Sequence, residues 1–323
     1  MYLQGKKILF IGPEFYDYHN KIINEMILNG AEVDYFPEIL NTINYRFAKL
    51  YFFRYRKWLE KRYLENIFIS LKENYDYFFL IRGEIISNDF LEKLKTKIPQ
   101  AKFIMYQWDS SQNNPNYLKI ISYFSKVMTF DRVDAKEQGI KYLPLFYTKE
   151  YETLKLNLKR EYDIVFFGAY HSDRLQIIKE LHKECLKLGL KCYFVIYITK
   201  MAFLVRILNG TLSVKDYKYM TFHPLNKRMI LNTYANTKAV LDIENVGQNG
   251  LTMRTFEVLG ASLQLITTNS SIKYEPFYDD KQILLLPRGN KKKMDLAFFY
   301  QDYSLHNLLK EYRLSEWLKK IFI

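Results

Sequence analysis

A short apolar run that ends in glycine occurs twice in this chain. Residues 8–11 (ILFI) run into Gly12, and residues 164–167 (IVFF) run into Gly168. Continuous apolar runs of this length are typical of parallel strands that are buried on both faces. A glycine at the end of such a strand allows the sharp turn toward a following helix. The recurrence predicts two similar α/β units, one in each half of the chain.

Strand-like and helix-like segments alternate along the chain at the spacing of a doubly wound parallel sheet. In the first half, strands are predicted near residues 8–11, 31–36, 77–81, 103–106 and 127–129, with helices near residues 21–28, 45–74 and 88–97. In the second half, strands are predicted near residues 164–167, 192–197, 239–243, 263–267 and 283–286, with helices near residues 174–188 and 226–236. The sequence therefore predicts an α/β fold of two Rossmann-like domains facing a cleft, with ligands at the carboxyl ends of the strands.

The predicted domain boundaries lie where these patterns stop. Residues 1–145 form the predicted N-terminal domain and residues 160–303 the C-terminal domain, because the segment between them has few periodic cues and is predicted to be a linker. A length of 323 residues suits two domains of about 150 residues each. Residues 304–323 are predicted to form an amphipathic C-terminal helix, which either docks on the protein or lies on a membrane surface.

The formal net charge of +13 is spread over both halves, with +4 in residues 1–150 and +9 in the remainder. Such a balance suits phosphorylated ligands, polyanions or anionic lipid. Its densest part is residues 46–62, where seven cations and interleaved aromatic residues accompany one acid, Glu60. We interpret this run as a solvated helix face or as a contact for membrane or acceptor. Nucleic acid is not an expected partner, because no helix-turn-helix, zinc-finger or RNA-recognition signature is present. A nucleic-acid-binding protein would show steep salt-dependent binding to DNA or RNA.

Cysteine usage and hydropathy indicate the expected compartment. Cys185 and Cys192 have no metal-ligand spacing, and so few cysteines are typical of a reducing compartment. The first predicted strand begins almost at once, which argues against a signal peptide, and no apolar run reaches the length of about 18 residues that a membrane span needs. We expect a cytoplasmic protein that can be peripheral at the inner membrane face. The apolar run at residues 201–205 is either a second membrane contact or core.

The richest candidate site is residues 244–257 (ENVGQNGLTMRTFE), which follow a predicted strand. Gly247 and Gly250 allow the backbone to approach a ligand, and the helix that starts after this loop presents N–H groups and a positive dipole end to phosphate. Glu257, one and a half turns into the helix, can accept hydrogen bonds from paired sugar hydroxyls. Together these features predict a nucleotide-sugar site, and a solvent loop with a capped helix is the alternative. The expected contacts are Gln248, Asn249, Gly250, Leu251, Thr252, Arg254 and Glu257.

A second candidate loop, residues 168–174 (GAYHSDR), follows the first strand of the second half. Gly168 lets the chain turn, and Ser172 or Asp173 can cap the next helix. Arg174 can pair with a phosphate at the helix start as a bidentate donor. We count Gly168, His171 and Arg174 among the expected donor-binding residues. A plain strand-to-helix turn with a surface arginine is the alternative.

Candidate proton acceptors lie in the first half. Asp109 follows a strand and an aromatic residue, where a carboxylate can act as general base or can simply cap the next turn. His19, at the start of the first helix, can also take a proton from a hydroxyl, although a structural role suits a lone histidine equally. Glu84 ends another strand and is a further acid candidate. Asp109 and His19 are therefore the predicted catalytic residues.

Several motifs with well-understood chemistry are absent from the sequence. There is no HExxH, no CxxC, no Walker lysine loop and no complete GxGxxG, which disfavours zinc hydrolases, P-loop ATPases and ordinary dehydrogenases. There is also no DxD pair that would suit a metal-bound nucleotide sugar, and the adjacent Asp279 and Asp280 are interpreted as a turn. We therefore expect no metal and no other cofactor.

The order of three motifs resembles a known family. FGAYHSDR at residues 167–174, QNGLTMRTFE at residues 248–257 and TTN at residues 267–269 are similar to bacterial capsular and lipopolysaccharide biosynthesis glycosyltransferases of the CgeB-like group, which have the GT-B fold. YQWD at residues 106–109 fits the same group. The resemblance spans nearly the whole chain, and residues 248–269 are its most specific part.

The resemblance implies an acceptor side in the first domain and a nucleotide-sugar side in the second. The implied activity is transfer of a sugar to a hydroxyl of a glycan or lipid-linked acceptor; a non-catalytic nucleotide- or glycan-binding partner in a polysaccharide assembly complex is the alternative. Many retaining GT-B enzymes carry two carboxylates eight residues apart. Here Glu257 matches the second, which holds ribose, while Asn249 stands at the first position. Retention or inversion of stereochemistry therefore stays open.

Overall fold

The computed structural model describes residues 1–286, 288–289, 294–303 and 307–323. The chain divides into two compact units, of which unit 1 comprises residues 1–144 and 314–323 and unit 2 comprises residues 145–313. Each unit contains one six-stranded sheet whose paired strands are all parallel. The predicted α/β fold with two Rossmann-like halves is thus confirmed.

The sheet of unit 1 has the strand order β2-β1-β3-β4-β5-β6. Its strands are β1 (Lys7–Gly12), β2 (Glu32–Pro37), β3 (Tyr77–Ile81), β4 (Lys102–Gln107), β5 (Lys126–Thr129) and β6 (Lys141–Tyr142). The direction in which the chain winds changes between β1 and β3, so the loops that follow these two strands diverge there. Ligand sites in doubly wound sheets lie at such switch points.

The helices of unit 1 are α1 (Tyr18–Leu28), α2 (Ile43–Tyr51), α3 (Phe53–Ser70), α4 (Asn88–Lys97), α5 (Tyr117–Ile120) and α6 (Arg132–Gln138). One face of the sheet packs against α3 and α4, and its core includes Leu9 and Phe78 from strands and Leu64 and Leu91 from helices. Burial of these apolar side chains on both elements is the main driving force for the layer.

The long helix predicted over residues 45–74 is wrong in two respects, since the structure breaks it at Phe52 and ends it at Ser70. Phe52 adopts φ −133° and ψ 82°, outside the helical region, and separates α2 from α3. The break falls within three consecutive aromatic residues, 51–53, whose side chains lose rotamer freedom in a helix. The periodic pattern continues through the break, so hydrophobic spacing alone does not reveal it.

The sheet of unit 2 has the order β12-β11-β10-β7-β8-β9. Its strands are β7 (Tyr162–Ala169), β8 (Cys192–Tyr197), β9 (Met220–Thr221), β10 (Thr237–Asp242), β11 (Gln264–Thr267) and β12 (Ile283–Leu285). Counted within the unit, this is the order 3-2-1-4-5-6 of dinucleotide-binding Rossmann sheets, whose switch point lies between the first and fourth strands. In unit 2 those strands are β7 and β10.

The helices of unit 2 are α7 (Lys149–Glu152), α8 (Arg174–Lys187), α9 (Lys200–Leu208), α10 (Lys227–Ala235) and α11 (Met253–Gly260). The buried core on one side of the sheet joins Phe166 and Leu241 to Ile178 and Cys185 of α8. On α9, the apolar run at residues 201–205 is divided, because Ala202 and Phe203 pack against this core while Met201, Leu204 and Val205 are exposed.

The C-terminal helix, α12 (Leu314–Phe322), belongs to unit 1. Trp317 is buried, with its ring 4.7 Å from that of Tyr106 and 6.3 Å from that of Phe79. Phe322 packs on Phe79 as well, at 5.4 Å. The predicted helix therefore docks on the protein, but it starts later than residue 304. Residues 307–312 are a 3-10 helix, and residues 304–306 lie outside the described residues.

Across the described part of the chain, helices that are long and apolar enough to cross a membrane are absent.

Candidate nucleotide-sugar site

The predicted donor-binding residues all lie at the carboxyl edge of the unit 2 sheet, around the switch point between β7 and β10. The loop from residue 168 to 174 follows β7, and the loop from residue 243 to 252 follows β10 and leads into α11. The fold therefore brings together two segments that are about 75 residues apart in the sequence, at the position where doubly wound sheets bind their ligands.

Arg174 joins the two loops. Its Nε and Nη2 donate to the backbone oxygen of Ile243 at 3.0 and 2.8 Å, and its Nη1 donates to that of Ala169 at 3.1 Å. These bonds hold the end of β10 against the loop after β7. The guanidinium is thus positioned by backbone carbonyls, and its expected contact with a phosphate stays a prediction.

His171 is half-buried beside this arginine. Burial and the positive charges of Arg174 and Arg288 together lower the pKa of its imidazole to about 4, against the opposing effects of Asp173 and Asn245. Its Nδ1 lies 2.7 Å from the hydroxyl oxygen of Ser172, a residue in the left-handed region with φ +44°. The ring is therefore neutral at physiological pH and can exchange hydrogen bonds with a ligand without adding charge.

Sequence reasoning missed Arg288. It follows β12, the outer strand of the sheet, and pairs with carboxylates at the same carboxyl edge. Its Nε lies 2.8 Å from Oδ2 of Asp173, and its Nη1 pairs with the carboxylate of Glu244. Glu244 also accepts a hydrogen bond from the Thr268 hydroxyl, and burial raises the pKa of its carboxyl. The available signal was positional, since Arg288 follows the last strand of the sheet by three residues.

The glycine-containing loop after β10 is held by amide side chains. Gly247 has φ +84°, a conformation that favours glycine. Nε2 of Gln248 donates to the backbone oxygen of Gly250 at 3.0 Å. Nδ2 of Asn269 donates to the same oxygen at 3.1 Å and to that of Asn249 at 3.3 Å. Asn269, which follows strand β11, thus holds the loop from outside. Gln248 holds it from within, so its side-chain amide is already engaged by the loop.

Asp242, a second residue missed in the sequence, anchors the start of α11. It is 1% exposed and accepts hydrogen bonds from the hydroxyls of Thr252 and Thr255 at 2.6 and 2.8 Å. Thr252 is the N-cap of α11, and its oxygen accepts the N–H of Thr255 at 3.4 Å. The Thr252 hydroxyl proton therefore points to Asp242, so contact with phosphate falls to the backbone N–H groups at the helix start.

Arg254 and Glu257 lie on the inner side of α11. Nη1 of Arg254 is 3.9 Å from Oδ1 of Asp242, and its guanidinium lies over the Phe166 ring at 5.4 Å from the centroid. Glu257 is buried and accepts a hydrogen bond from the Tyr151 phenol, whose pKa rises through burial and through this carboxylate. The two predicted contacts thus form part of a buried charged layer beneath the loop, and Tyr151 is a member that sequence reasoning missed.

The carboxyl edge of unit 1 carries a separate charged cluster. Nε of Arg82 lies 2.9 Å from Oδ2 of Asp109, and its Nη2 pairs with Glu84. Burial raises the pKa of Asp109, with Arg82 acting to lower it and Glu84 to raise it. Arg82 and Gly83 both have φ +80°, which turns the chain sharply after β3. Asp109 and Glu84 are thereby brought to one guanidinium, as carboxylates that can accept a proton from a hydroxyl.

His19 lies on α1, at the same edge of the sheet. Its ring stacks on that of Tyr35 with centroids 5.5 Å apart, and its Nδ1 is buried without a hydrogen-bond partner among the described residues. The stacked ring is consistent with the structural role that the sequence left open. Its predicted role in proton transfer stays a prediction.

Glu38, which follows β2, lies beneath the unit 1 cluster and was missed in the sequence. It is fully buried and accepts the backbone N–H of Glu84. Burial raises the pKa of its carboxyl to about 8; Arg82 and the Glu84 N–H lower it, and the charges of Glu84 and Asp109 raise it. At neutral pH the Glu38 side chain therefore carries a proton and supports the turn at residues 82–84 as a neutral group.

We expect Glu38→Gln to change the pH dependence of stability. Between the ordinary pKa of 4.5 and the folded-state pKa of about 8, the unfolded chain has lost a proton that the folded protein keeps. Stability therefore falls as pH rises through this window and is level above it. Glutamine does not ionise and can still accept the Glu84 N–H. The free energy of unfolding of the variant, relative to that of the parent, should therefore rise with pH.

Urea unfolding at about pH 5, 7 and 9 measures this difference. Glu73→Gln, at an exposed position, is the matched control and should track the parent at every pH. A difference in unfolding free energy between Glu38→Gln and the parent that is the same at all three pH values would contradict the protonated state of Glu38.

Clusters of three or more His, Cys, Asp or Glu side chains that could hold a metal ion are not found in the described ranges.

Comparison with known proteins locates the fold but not a sequence family. No family model matches the sequence, and no curated protein sequence is similar to it. Among solved structures, HepE of Anabaena in complex with UDP and glucose is similar over 98% of this chain and 94% of its own, with a TM-score of 0.57 and 9% identity. AviGT4, a glycosyltransferase involved in avilamycin A biosynthesis, is similar over 98% and 95%, with a TM-score of 0.56 and 11% identity.

A third similar structure has a different described activity. The UDP-GlcNAc 2-epimerase of Methanocaldococcus jannaschii, in complex with UDP-GlcNAc and UDP, is similar over 98% of this chain and 99% of its own, with a TM-score of 0.57 and 12% identity. At these identities the likeness concerns the fold alone, which both activities share. The chain therefore has the GT-B fold, with two Rossmann-like α/β units.

Proposed function

We propose that this protein transfers a sugar from a nucleotide-sugar donor to a hydroxyl of a growing surface glycan, without a metal ion. The observation that carries the proposal is the loop at the β7–β10 switch point, which runs into the N-terminus of α11 and is anchored by Asp242 and Asn269. An anchored helix start of this kind suits a diphosphate. HepE, which shares the fold, is described in complex with UDP and glucose.

Each part of the site has a role in this proposal. The backbone of residues 250–254 and the dipole of α11 stabilise the leaving diphosphate in place of a metal, with Arg174 and His171 on the facing loop. Glu257 holds the ribose hydroxyls. In unit 1, Asp109 or His19 takes the proton from the acceptor hydroxyl in an inverting reaction. The acceptor is a glycan or lipid-linked glycan, and the protein works at the cytoplasmic face of the membrane.

We expect one class of nucleotide sugar to stabilise the protein in a thermal-shift screen of UDP, GDP, CMP and dTDP sugars. A ligand at 100 times its Kd adds about 2.7 kcal/mol to the stability of the form that binds it, which is a shift of several degrees. Glu257→Gln should lower the affinity for that nucleotide about tenfold, since a hydrogen bond from a hydroxyl to a charged carboxylate becomes one to a neutral amide.

Glu161→Gln is the matched control, because Glu161 is exposed and directly precedes β7 at the opposite edge of the sheet. The control should bind the nucleotide like the parent. The donor site assignment fails if no nucleotide stabilises the protein, or if Glu257→Gln and Glu161→Gln bind equally well.

An acceptor-dependent assay separates transfer from the alternative role. With the stabilising donor and glycan acceptors, the enzyme should release the nucleotide of that donor only when an acceptor is present. Donor binding without turnover on any acceptor would support a non-catalytic nucleotide- or glycan-binding partner in a polysaccharide assembly complex. Conversion of the donor sugar without an acceptor would point to the chemistry described for the epimerase of similar fold.

A further inference from the structure

The outer faces of α2 and α3 form a surface that exposes large aromatic and apolar side chains. We call residues 43–62 the aromatic-basic surface. Most apolar surface in a folded protein is dispersed, and a contiguous exposed patch usually marks a contact with a partner or a membrane. Seven large apolar or aromatic side chains in this segment leave at least half of their area in solvent, namely Ile43, Phe47, Leu50, Tyr51, Phe52, Phe53 and Trp58.

Cations are interleaved with these aromatic groups, and they also face solvent. The one acid in this part of the chain, Glu60, is buried, so the charge presented outward is positive. The guanidinium of Arg62 lies over the Trp58 ring at 5.3 Å, and that of Arg56 lies over Phe53 at 5.1 Å. The aromatic-basic surface thus combines apolar insertion with positive charge. Its exposed cations are Arg46, Lys49, Arg54, Lys57, Lys61 and Arg62.

A buried carboxylate holds the two helices together beneath the surface. Oε1 of Glu60 accepts the phenol of Tyr45 at 2.9 Å, which ties α3 to α2, and its Oε2 accepts from Lys57 at 2.8 Å. Leu64 and Ile67 of α3 are buried in the unit 1 core. The inner side of the helices is therefore fixed, and the outer side chains are displayed on a formed surface that does not have to fold upon binding.

We propose that the aromatic-basic surface binds an anionic lipid bilayer. Tryptophan and tyrosine favour the headgroup level of a membrane, while leucine and phenylalanine favour the acyl boundary beneath it. Lysine and arginine near the surface are attracted to anionic headgroups. A purely polar polyanion would satisfy the cations and leave the apolar groups in water, so a bilayer suits the combined pattern better. The inference does not depend on the proposed transfer activity.

Co-sedimentation with vesicles tests the proposal. The full chain should bind vesicles of phosphatidylcholine with about 30% phosphatidylglycerol, bind phosphatidylcholine alone at least about tenfold more weakly, and lose affinity as salt rises. The fluorescence of Trp58 should shift to the blue on binding as its ring leaves water. Trp58→Phe should keep most of the binding and lose the shift, since the two other tryptophans lie outside the aromatic-basic surface, Trp108 half-buried and Trp317 buried.

Two variants address the two components of the surface. Phe47→Ser/Phe52→Ser/Phe53→Ser removes exposed apolar groups, and Arg54→Glu/Lys61→Glu reverses exposed charges. Each should lower the vesicle affinity about tenfold or more. The matched controls are Tyr274→Ser/Tyr300→Ser and Lys102→Glu/Lys136→Glu, which alter exposed aromatic rings in unit 2 and exposed lysines elsewhere in unit 1. Both controls should bind vesicles like the parent, and all four should keep the parent melting temperature.

Three results would overturn the proposal. The first is equal affinity for neutral and anionic vesicles. The second is a loss of vesicle affinity in the control variants as large as that in the variants of the aromatic-basic surface. The third is tight binding of a soluble polyanion such as heparin, dependent on the three phenylalanines, with no binding to vesicles. That last result would identify an acidic glycan as the ligand of this surface. Because nucleotide binding is measured separately, a failure here leaves the donor site untouched.

Discussion

Replacing Asp109 with asparagine is expected to lower the rate of sugar transfer about 100- to 10,000-fold, the usual contribution of a positioned general base. Asparagine keeps the shape of this partly exposed side chain and removes the negative charge that faces Arg82, whose Nε lies 2.9 Å from the carboxylate. The fold should therefore be retained. What is lost is the capacity to take the proton from the acceptor hydroxyl. The measurement is kcat for acceptor-dependent nucleotide release at saturating donor.

The pH profile provides a second readout of the same residue. A base must be deprotonated to act, so kcat/KM should fall as pH falls through the pKa of Asp109. Burial and the charge of Glu84 raise that pKa above the ordinary aspartate value, while Arg82 opposes them. The acid limb of the profile should accordingly lie at higher pH than for a free aspartate, and it should move when Glu84→Gln removes the neighbouring charge.

His19→Asn is the matched comparison, because His19 is the other candidate base. A large loss in Asp109→Asn together with a small loss in His19→Asn assigns the base to Asp109. The reverse pattern assigns it to His19. If neither variant slows transfer, neither residue is the base. The anomeric configuration of the product, determined by NMR, then separates an inverting reaction with Glu84 as base from a retaining one.

Replacing Asp242 with alanine is expected to destabilise unit 2 by about 3–5 kcal/mol, the usual effect of removing one partner from a buried charged pair. Asp242 is 1% exposed, accepts from the hydroxyls of Thr252 and Thr255, and faces the guanidinium of Arg254. Alanine would remove the negative charge that faces Arg254 and the acceptor of two hydroxyls, that of Thr255, which is buried, and that of Thr252, which is half-buried. The free energy of unfolding from urea titration measures the effect.

Two further variants sharpen this result. Asp242→Asn keeps an acceptor for the hydroxyls but removes the charge. Its free energy of unfolding should therefore lie between those of the parent and Asp242→Ala. Asp280→Ala, at an exposed position, should stay within about 0.5 kcal/mol of the parent. A loss below about 1 kcal/mol for Asp242→Ala would mean that Asp242 does not anchor α11.

The strands of the central sheets were predictable because short apolar runs that end in glycine or polar residues are typical of buried parallel strands. The strands β6 and β9 were not, since two residues each carry too little pattern. The break at Phe52 was missed because helical periodicity continues on both sides of it. The docking of α12 on unit 1 is a long-range contact between Trp317 and Tyr106, and local pattern holds no information about it.

For the candidate site, sequence reasoning found the loops but not what holds them. Glycines, amides and a helix start are local signals, so residues 168–174 and 248–257 could be singled out. Asp242, Arg288 and Tyr151 lie outside those loops and contact them only after folding. Glu38 was missed because nothing in its neighbours indicates that it is buried. The structure also directs the Thr252 hydroxyl to Asp242, which makes the backbone the main candidate for phosphate contact.

The return of α12 to unit 1 bears on how the protein is made. A ribosome releases all of unit 2 before it releases residues 314–323, so the first unit to be started is the last that can be completed. Until then, the rings of Phe79 and Tyr106 lack the cover that Trp317 and Phe322 give them in the folded unit. Nascent chains in which residues 314–323 have not yet emerged would accordingly expose Phe79 and Tyr106 to chaperones, whereas unit 2 could already be native.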